Sequence, residues 1–353
     1  ECCPLDGPGR GRPGELCTNG VAIGLDLLDP LCQLIHVVEE LDVDRRLDVR
    51  PGSRAGLGGP RSSKNHIDAR LEGGQLGRPC LGERGEMRVD ALHLANADLD
   101  ISASGTWRAP AAGTSGGQAD FTGRIARLDA RRVHRYVPLD AGEGTLSWLQ
   151  HALLEGRIDE GSFRLRGDLS RFPFPAPADG EFRVAARLRG GVLDVAPSAD
   201  ANGRRTPGTP WPLLREIDAD LLFERQGMTI RAQRGTIHGA RISETTARIP
   251  DLGHDATLEV RGQVAGALSD MLGYVNASPV ARWIGGVTRG VEARGPARLD
   301  LKLDIPLLRT DATRVTGALQ MQNNDLTFAD VPPFSRVSGV FNFDERGIRF
   351  NNL

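Results

Sequence analysis

The sequence predicts a mainly β protein: a long antiparallel sheet carrying a few short helices. Three observations point there. From about residue 91, apolar residues recur at every second position in segment after segment. Gly, Asn and Asp turns separate those segments. A hairpin-like unit also occurs twice, residues 213–230 aligning without a gap on residues 333–350. Successive strand side chains point to opposite sheet faces, so a period of two means one apolar face and one wet face. One-sided strands joined by short turns favour antiparallel pairing.

The segments follow one another in order. Leu99, Ile101 and Ala103 alternate with Asp98, Asp100 and Ser102. Phe163, Leu165, Gly167 and Leu169 alternate with Arg164, Arg166 and Asp168. Phe182, Val184, Ala186 and Leu188 form the next set, then Ile217, Ala219, Leu221 and Phe223. Leu258, Val260 and Val264 precede Leu299, Leu301, Leu303 and Ile305. Val337, Gly339, Phe341 and Phe343 close the series. Three helical pieces interrupt it. Residues 143–156 place Leu146, Leu149 and Leu153 on one face, and Gly156 can end that helix. Residues 130–136 read as a helical turn. Ser278-Pro279 suits an N-cap and first turn, opening a helix with Val280, Trp283 and Ile284 that Gly285-Gly286 ends.

In the repeat, Ile217 falls on Val337, Ala219 on Gly339, Leu221 on Phe341 and Phe223 on Phe343, with Gly227 on Gly347 at the turn. Each unit is a strand, a polar turn and a returning strand. Repetition of this kind builds an elongated sheet whose units contact mainly their neighbours.

Residues 1–90 read differently from 91–353. They are rich in Gly, Pro and Arg and hold all five cysteines (Cys2, Cys3, Cys17, Cys32, Cys80) without CxxC or Cys/His spacing. Out-of-frame translation and disorder both account for such a segment. The chain does not open with Met, and Asn351-Asn352-Leu353 breaks off within a strand pattern, so both ends read as cut.

Composition excludes several function classes. The 353 residues carry a formal net charge of −2, with 25% charged and 39% hydrophobic residues. No overall basic field points to nucleic acid. No apolar run reaches the roughly 18 residues of a membrane helix. His134, His151, His238 and His254 have no metal-ligand spacing, and Asp218/Asp220 and Asp300/Asp304 fall on the polar phase of strands. The reading is therefore non-enzymatic, with no catalytic residue, metal or cofactor. With 5% aromatic residues, sugar stacking has little support. Trp148, Trp211 and Trp283 suit packing anchors more than lipid-interface residues, and Arg131, Arg132 and Arg135 an ordinary charged turn more than a headgroup contact.

Alternation alone fits a closed β-sandwich with a structural or interaction role as well as an open sheet. One stretch favours the second. Trp148, Leu149, Ala152, Leu153 and Gly156, then Phe163, Leu165 and Gly167, then Phe172-Pro173-Phe174, resemble a segment of the YhdP branch of the AsmA-like proteins. The order of elements continues through Gly180, Phe182, residues 192–197, Trp211-Pro212 and the Ile217 to Phe223 strand, with 199–209 as an insertion. The resemblance implies an elongated, curved, open β-groove over residues 91–353, incomplete at the C-terminus. It implies a periplasmic protein of a Gram-negative bacterium, held to the inner membrane by an anchor outside this stretch. The partners it implies are phospholipid, moved between inner and outer membranes, and outer-membrane components. By strand parity, the lipid-facing candidates are Phe163, Leu165, Leu169, Phe182, Val184, Leu188, Ile217, Leu221, Phe223, Leu258, Val260, Leu299, Leu301, Leu303, Val337, Phe341 and Phe343. A single β-bulge inverts any such set.

Overall fold

The computed structural model describes residues 66–71, 85–110, 115–137, 141–198, 211–253, 255–329 and 331–351. The five cysteines, His254, the loop 199–209 and most of residues 1–90 lie outside the described residues.

Alternation becomes strands in chain order: β1 (His66–Leu71), β2 (Glu86–Ala95), β3 (Leu99–Arg108), β4 (Gln118–Asp129), β5 (Leu153–Asp168), β6 (Gly180–Leu193), β7 (Leu214–Glu224), β8 (Gly227–Ile237), β9 (Ala240–Ile249), β10 (Thr257–Ala267), β11 (Glu292–Arg294), β12 (Pro296–Pro306), β13 (Arg314–Phe328), β14 (Val331–Asp344) and β15 (Gly347–Asn351). Each hydrogen-bonds to the next, antiparallel throughout, in one open sheet. The exception is β11, which pairs with β13 beyond the end of β12. β11 and β12 are in effect one strand broken at Gly295, whose φ is 104°. The β7–β8 and β14–β15 hairpins are the two copies of the sequence repeat. The expected boundary near residue 90 falls within β2.

The helices collect on one rim of the sheet. A 3₁₀ segment η1 (Ala130–Arg135) and helix α1 (Glu143–Ala152) join β4 to β5. Helices α2 (Leu268–Asn276) and α3 (Val280–Trp283) join β10 to β11. The opposite rim is made of turns, a 3₁₀ piece η2 (Leu169–Arg171) after β5 and another, η3 (Thr310–Ala312), after β12.

Three local expectations change. The first helix stops at Ala152: Leu153 is extended (φ −88°, ψ 101°), and Gly156 sits inside β5. Leu153 already belongs to the strand, where pairing with Leu193 outweighs one more helical turn. Ser278 does not cap α3; its hydroxyl donates back to the Val275 carbonyl at 3.0 Å. Helix α2, with Leu268, Met271, Leu272 and Val275 at helical spacing, follows β10 so directly that alternation hides its start.

Five non-glycine residues within the strands take positive φ: Glu160 (51°), Glu216 (53°), Glu244 (47°), Asn323 (52°) and Arg336 (59°). All lie at register shifts of β5, β7, β9, β13 and β14. Such bulges insert one residue, bend the strand and increase its twist. Their side effect is to restore phase. Ile158 and Phe163 are an odd number of positions apart, yet both join the apolar face, pairing with Leu188 and Val184 of β6.

The bulge in β13 is fastened by Asn324, which is fully buried. Its Oδ1 accepts from the Gln322 amide at 2.7 Å, and its Nδ2 donates to the Arg294 carbonyl at 3.1 Å. Asn324→Asp sets a buried carboxylate against that carbonyl. We expect a cost of about 2–3 kcal/mol, read as a lowered urea midpoint.

Candidate functional site

Residues paired across strands share a face, so the registers trace apolar rows perpendicular to the strands. One row runs Ala186–Leu221–Ile230–Ala247–Val260–Leu303–Val315, from β6 to β13. A second runs Leu99–Leu128–Ile158–Leu188–Ala219–Ala232. Beyond β9 it is extended by Gly262–Leu301–Gly317–Phe343. A third runs Val264–Leu299–Leu319–Phe341. The apolar residues of these rows fall on one face over most of the sheet.

That face is covered in three places. Under η1, Leu94, Leu99, Leu128, Ile158, Leu188 and Ile217 form a buried cluster against which Val133 and Tyr136 pack. On the turn rim, Trp107, Ala119, Leu169 and Phe174 form a second, with Leu165 and Phe182 packed against it. Under α2 and β11, Leu268, Ala293, Ala297 and Met321 form a third, with Val337 against it. Between these covers lies a lane of half-buried apolar side chains: Phe163, Val184, Leu221, Phe223, Leu258, Val260, Leu299, Leu301, Leu303, Phe341 and Phe343.

The seventeen parity-selected residues therefore divide. Those eleven line the lane, with Leu221 at the margin of the cluster under η1. Leu188 and Ile217 lie beneath η1, Leu165 and Phe182 flank the turn-rim cluster, and Val337 lies against the α2 cluster. Leu169 has left β5 for η2 and is buried in the turn-rim cap, because Asp168 ends the strand by accepting the Ser170 amide at 3.0 Å. Ile230, Ala247, Val315 and Leu319 belong to the rows but are not among the parity-selected residues. Period-two alternation in β8 and β13 was the available signal.

The lane floor is flattened by glycines. A Cβ at Gly317 would overlap the Phe343 ring, and one at Gly123 the Phe163 ring. Each ring lies across the backbone of a neighbouring strand, filling the space its glycine leaves empty.

The opposite face is charged. Arg164 reaches Asp120 at 2.5 Å, Arg187 bridges Glu160 (2.5 Å) and Asp220 (3.3 Å), and Lys302 meets Asp304 at 3.0 Å. Asp218 accepts from the Gly190 amide at 2.9 Å and from Arg234 at 2.7 Å, and these hold its carboxyl below the usual carboxylate range. The carboxylate pairs singled out by spacing are thus engaged on the wet face. Exposed pairs of this kind each contribute at most about 1 kcal/mol. Among the described residues, no three His, Cys, Asp or Glu side chains converge as a metal site. His134 is half-buried and held toward its neutral form by desolvation, and His151 shares a 2.7 Å hydrogen bond with the Ser147 carbonyl. No described helix is long and apolar enough to cross a membrane.

The model of the family described as "YhdP protein" matches residues 81–353, which takes in every strand from β2 to β15. The chain belongs to the YhdP family. A curated YhdP relative, the "Intermembrane phospholipid transporter YhdP" of Escherichia coli (strain K12), is 24% identical over 221 residues. That alignment covers 62% of this chain and 16% of the relative. The chain thus spans a small fraction of the YhdP protein it matches. No solved structure matches it. The sheet from β2 onward, its rim helices and the lane fall inside the matched residues, and β1 lies before them.

Proposed function

We propose that the apolar lane binds phospholipid by its acyl chains and conducts it between the inner and outer membranes. The observation that carries this is the lane itself. Large apolar side chains from β5 to β14 stay half-exposed in continuous rows, where a monomeric soluble protein rarely leaves a wide apolar surface unoccupied. The relative's name supports phospholipid as the cargo. The work is physical, and no covalent step is assigned to any residue. Burying hydrocarbon is worth about 0.8 kcal/mol per CH2, so an acyl chain in water costs on the order of 10 kcal/mol. A lane that is apolar at every strand removes that cost at every position, so a chain slides without a high barrier. The setting is the periplasm, with an inner-membrane anchor outside this stretch and outer-membrane components as partners at the far end.

Native mass spectrometry of the purified 353-residue chain, after mild detergent exchange, tests the proposal. Bound phospholipid is the expected result. Leu221→Asp with Leu301→Asp, both in the lane, is expected to remove it while far-UV circular dichroism keeps its β signature. A folded parent chain that carries no lipid overturns the proposal and leaves a structural or interaction sheet.

A further inference from the structure

Between Asp270 and Glu292 the chain has no acidic residue; its only charges are Arg282 and Arg289. Three apolar side chains stand out in the same stretch: Trp283 is 69% exposed, Val287 66% and Ile284 38%. Single exposed apolar residues are ordinary on protein surfaces. Here three lie within five positions, on a frame that hydrogen bonds hold in shape. The Gly286 amide donates to the Ala281 carbonyl at 2.7 Å. Gly285 and Gly286, at φ 67° and 72°, make the tight reversal that only glycine adopts without strain. Across the reversal, the Thr288 hydroxyl donates to Asn276 Oδ1 at 2.7 Å, and Asn276 Nδ2 donates to the Thr288 carbonyl at 3.3 Å.

The exposed indole also has a fixed base. Trp283 meets Trp211 edge-on at 5.7 Å, and Trp211 leans on Tyr274 at 6.3 Å. Burial pushes the Tyr274 hydroxyl up to about 12. Leu268, at the start of α2, is buried against Ala293, Ala297 and Met321 and ties the whole unit to the sheet.

We propose that this station, Arg282 to Arg289 with Trp283 at its apex, docks on the surface of a bilayer containing anionic phospholipid. An indole flanked by aliphatic side chains suits the boundary between headgroups and hydrocarbon. Two guanidiniums that form no ion pair among the described residues complement phosphate-bearing headgroups. The frame is already ordered, so docking costs little conformational entropy. The other helical crossover makes the contrast. Trp148, 40% exposed on the same rim, donates its indole N–H to the Val195 carbonyl at 3.3 Å. Of the three arginines in that crossover, Arg131 and Arg135 are paired with Asp129 and Asp98. The station at α3 brings this part of the chain to a membrane, and it stands independently of the lane.

The test is flotation of the 353-residue chain with vesicles of phosphatidylcholine alone or mixed with phosphatidylglycerol. Binding to the mixed vesicles, weakened by salt, is expected. Trp283→Ala with Val287→Ser, and separately Arg282→Gln with Arg289→Gln, each lower the bound fraction about tenfold. Trp148→Ala leaves it unchanged, as does the Leu221→Asp, Leu301→Asp pair, so loss of lane binding and loss of docking are read apart. Circular dichroism confirms that each variant is folded. Failure to float with mixed vesicles, equal binding to neutral ones, or station variants that bind like the parent overturns the proposal. So does a chain that ignores vesicles and instead forms a dimer that Trp283→Ala dissociates.

Discussion

Truncating Phe174 to Ala is expected to destabilise the protein by about 3–5 kcal/mol. Its ring is fully buried in the turn-rim cap with Trp107, Ala119 and Leu169. The ring lies over the paired glycines Gly167 and Gly180: a Cβ at either would come within 2.9 Å and 2.8 Å of it, respectively. Phe174 also takes a positive φ of 63°, a conformation that costs a non-glycine residue roughly 1–3 kcal/mol. Packing must outweigh that cost, and Ala keeps the backbone penalty while losing the packing. Phe172 is the control. Its ring is 43% exposed and makes edge contacts with Phe174 at 5.8 Å and Phe182 at 5.0 Å. Phe172→Ala is expected to cost about 1 kcal/mol. Urea denaturation of the two variants separates them; equal midpoints would mean that Phe174 is not the cap.

Strand parity identified the apolar face because a strand offers only two sides, and Leu221, Val260 and Leu303 do fall in one row. Parity carries no information about what lies above that face. Leu188 and Leu221 have the same phase in neighbouring strands, yet Leu188 is buried within the cluster under η1 while Leu221 packs only against its margin, half-buried. The difference comes from where Val133 and Tyr136 land, which is a matter of crossover geometry. Bulges were partly legible. The odd spacing of Ile158 and Phe163, both apolar, announces a phase break that Glu160 supplies. The glycines of the lane are harder to read. Gly123 and Gly317 look like weak points in strands until the neighbouring Phe is known to lie over them. The Trp283 station was only half legible: a tryptophan there suits a packing anchor or a lipid interface, and the anchor is the commoner case. The absence of acidic residues between Asp270 and Glu292 was the available clue.

Gly317→Val is expected to lower bound phospholipid about tenfold by lifting the Phe343 ring into the lane, since overpacking forces neighbours to move. The atoms nearest a Cβ at Gly317 all belong to that ring, whereas at Gly123 the Ser102 carbonyl is also in the way. Gly317 therefore reports on the ring alone. Two effects on stability compete. Val in place of a mid-strand Gly gains about 0.5–1 kcal/mol from backbone entropy and strand preference. Crowding costs about 1–3 kcal/mol, so crowding wins and the variant is modestly destabilised. The double variant Gly317→Val, Phe343→Ala decides between a blocked lane and a damaged sheet. With the ring removed, the clash is gone and the strand gain remains, so stability and lipid binding both recover. Recovery of stability without recovery of lipid would mean that Phe343 itself touches the lipid. Full lipid occupancy in folded Gly317→Val would place the acyl chain elsewhere on the face, away from the Leu301–Gly317–Phe343 row.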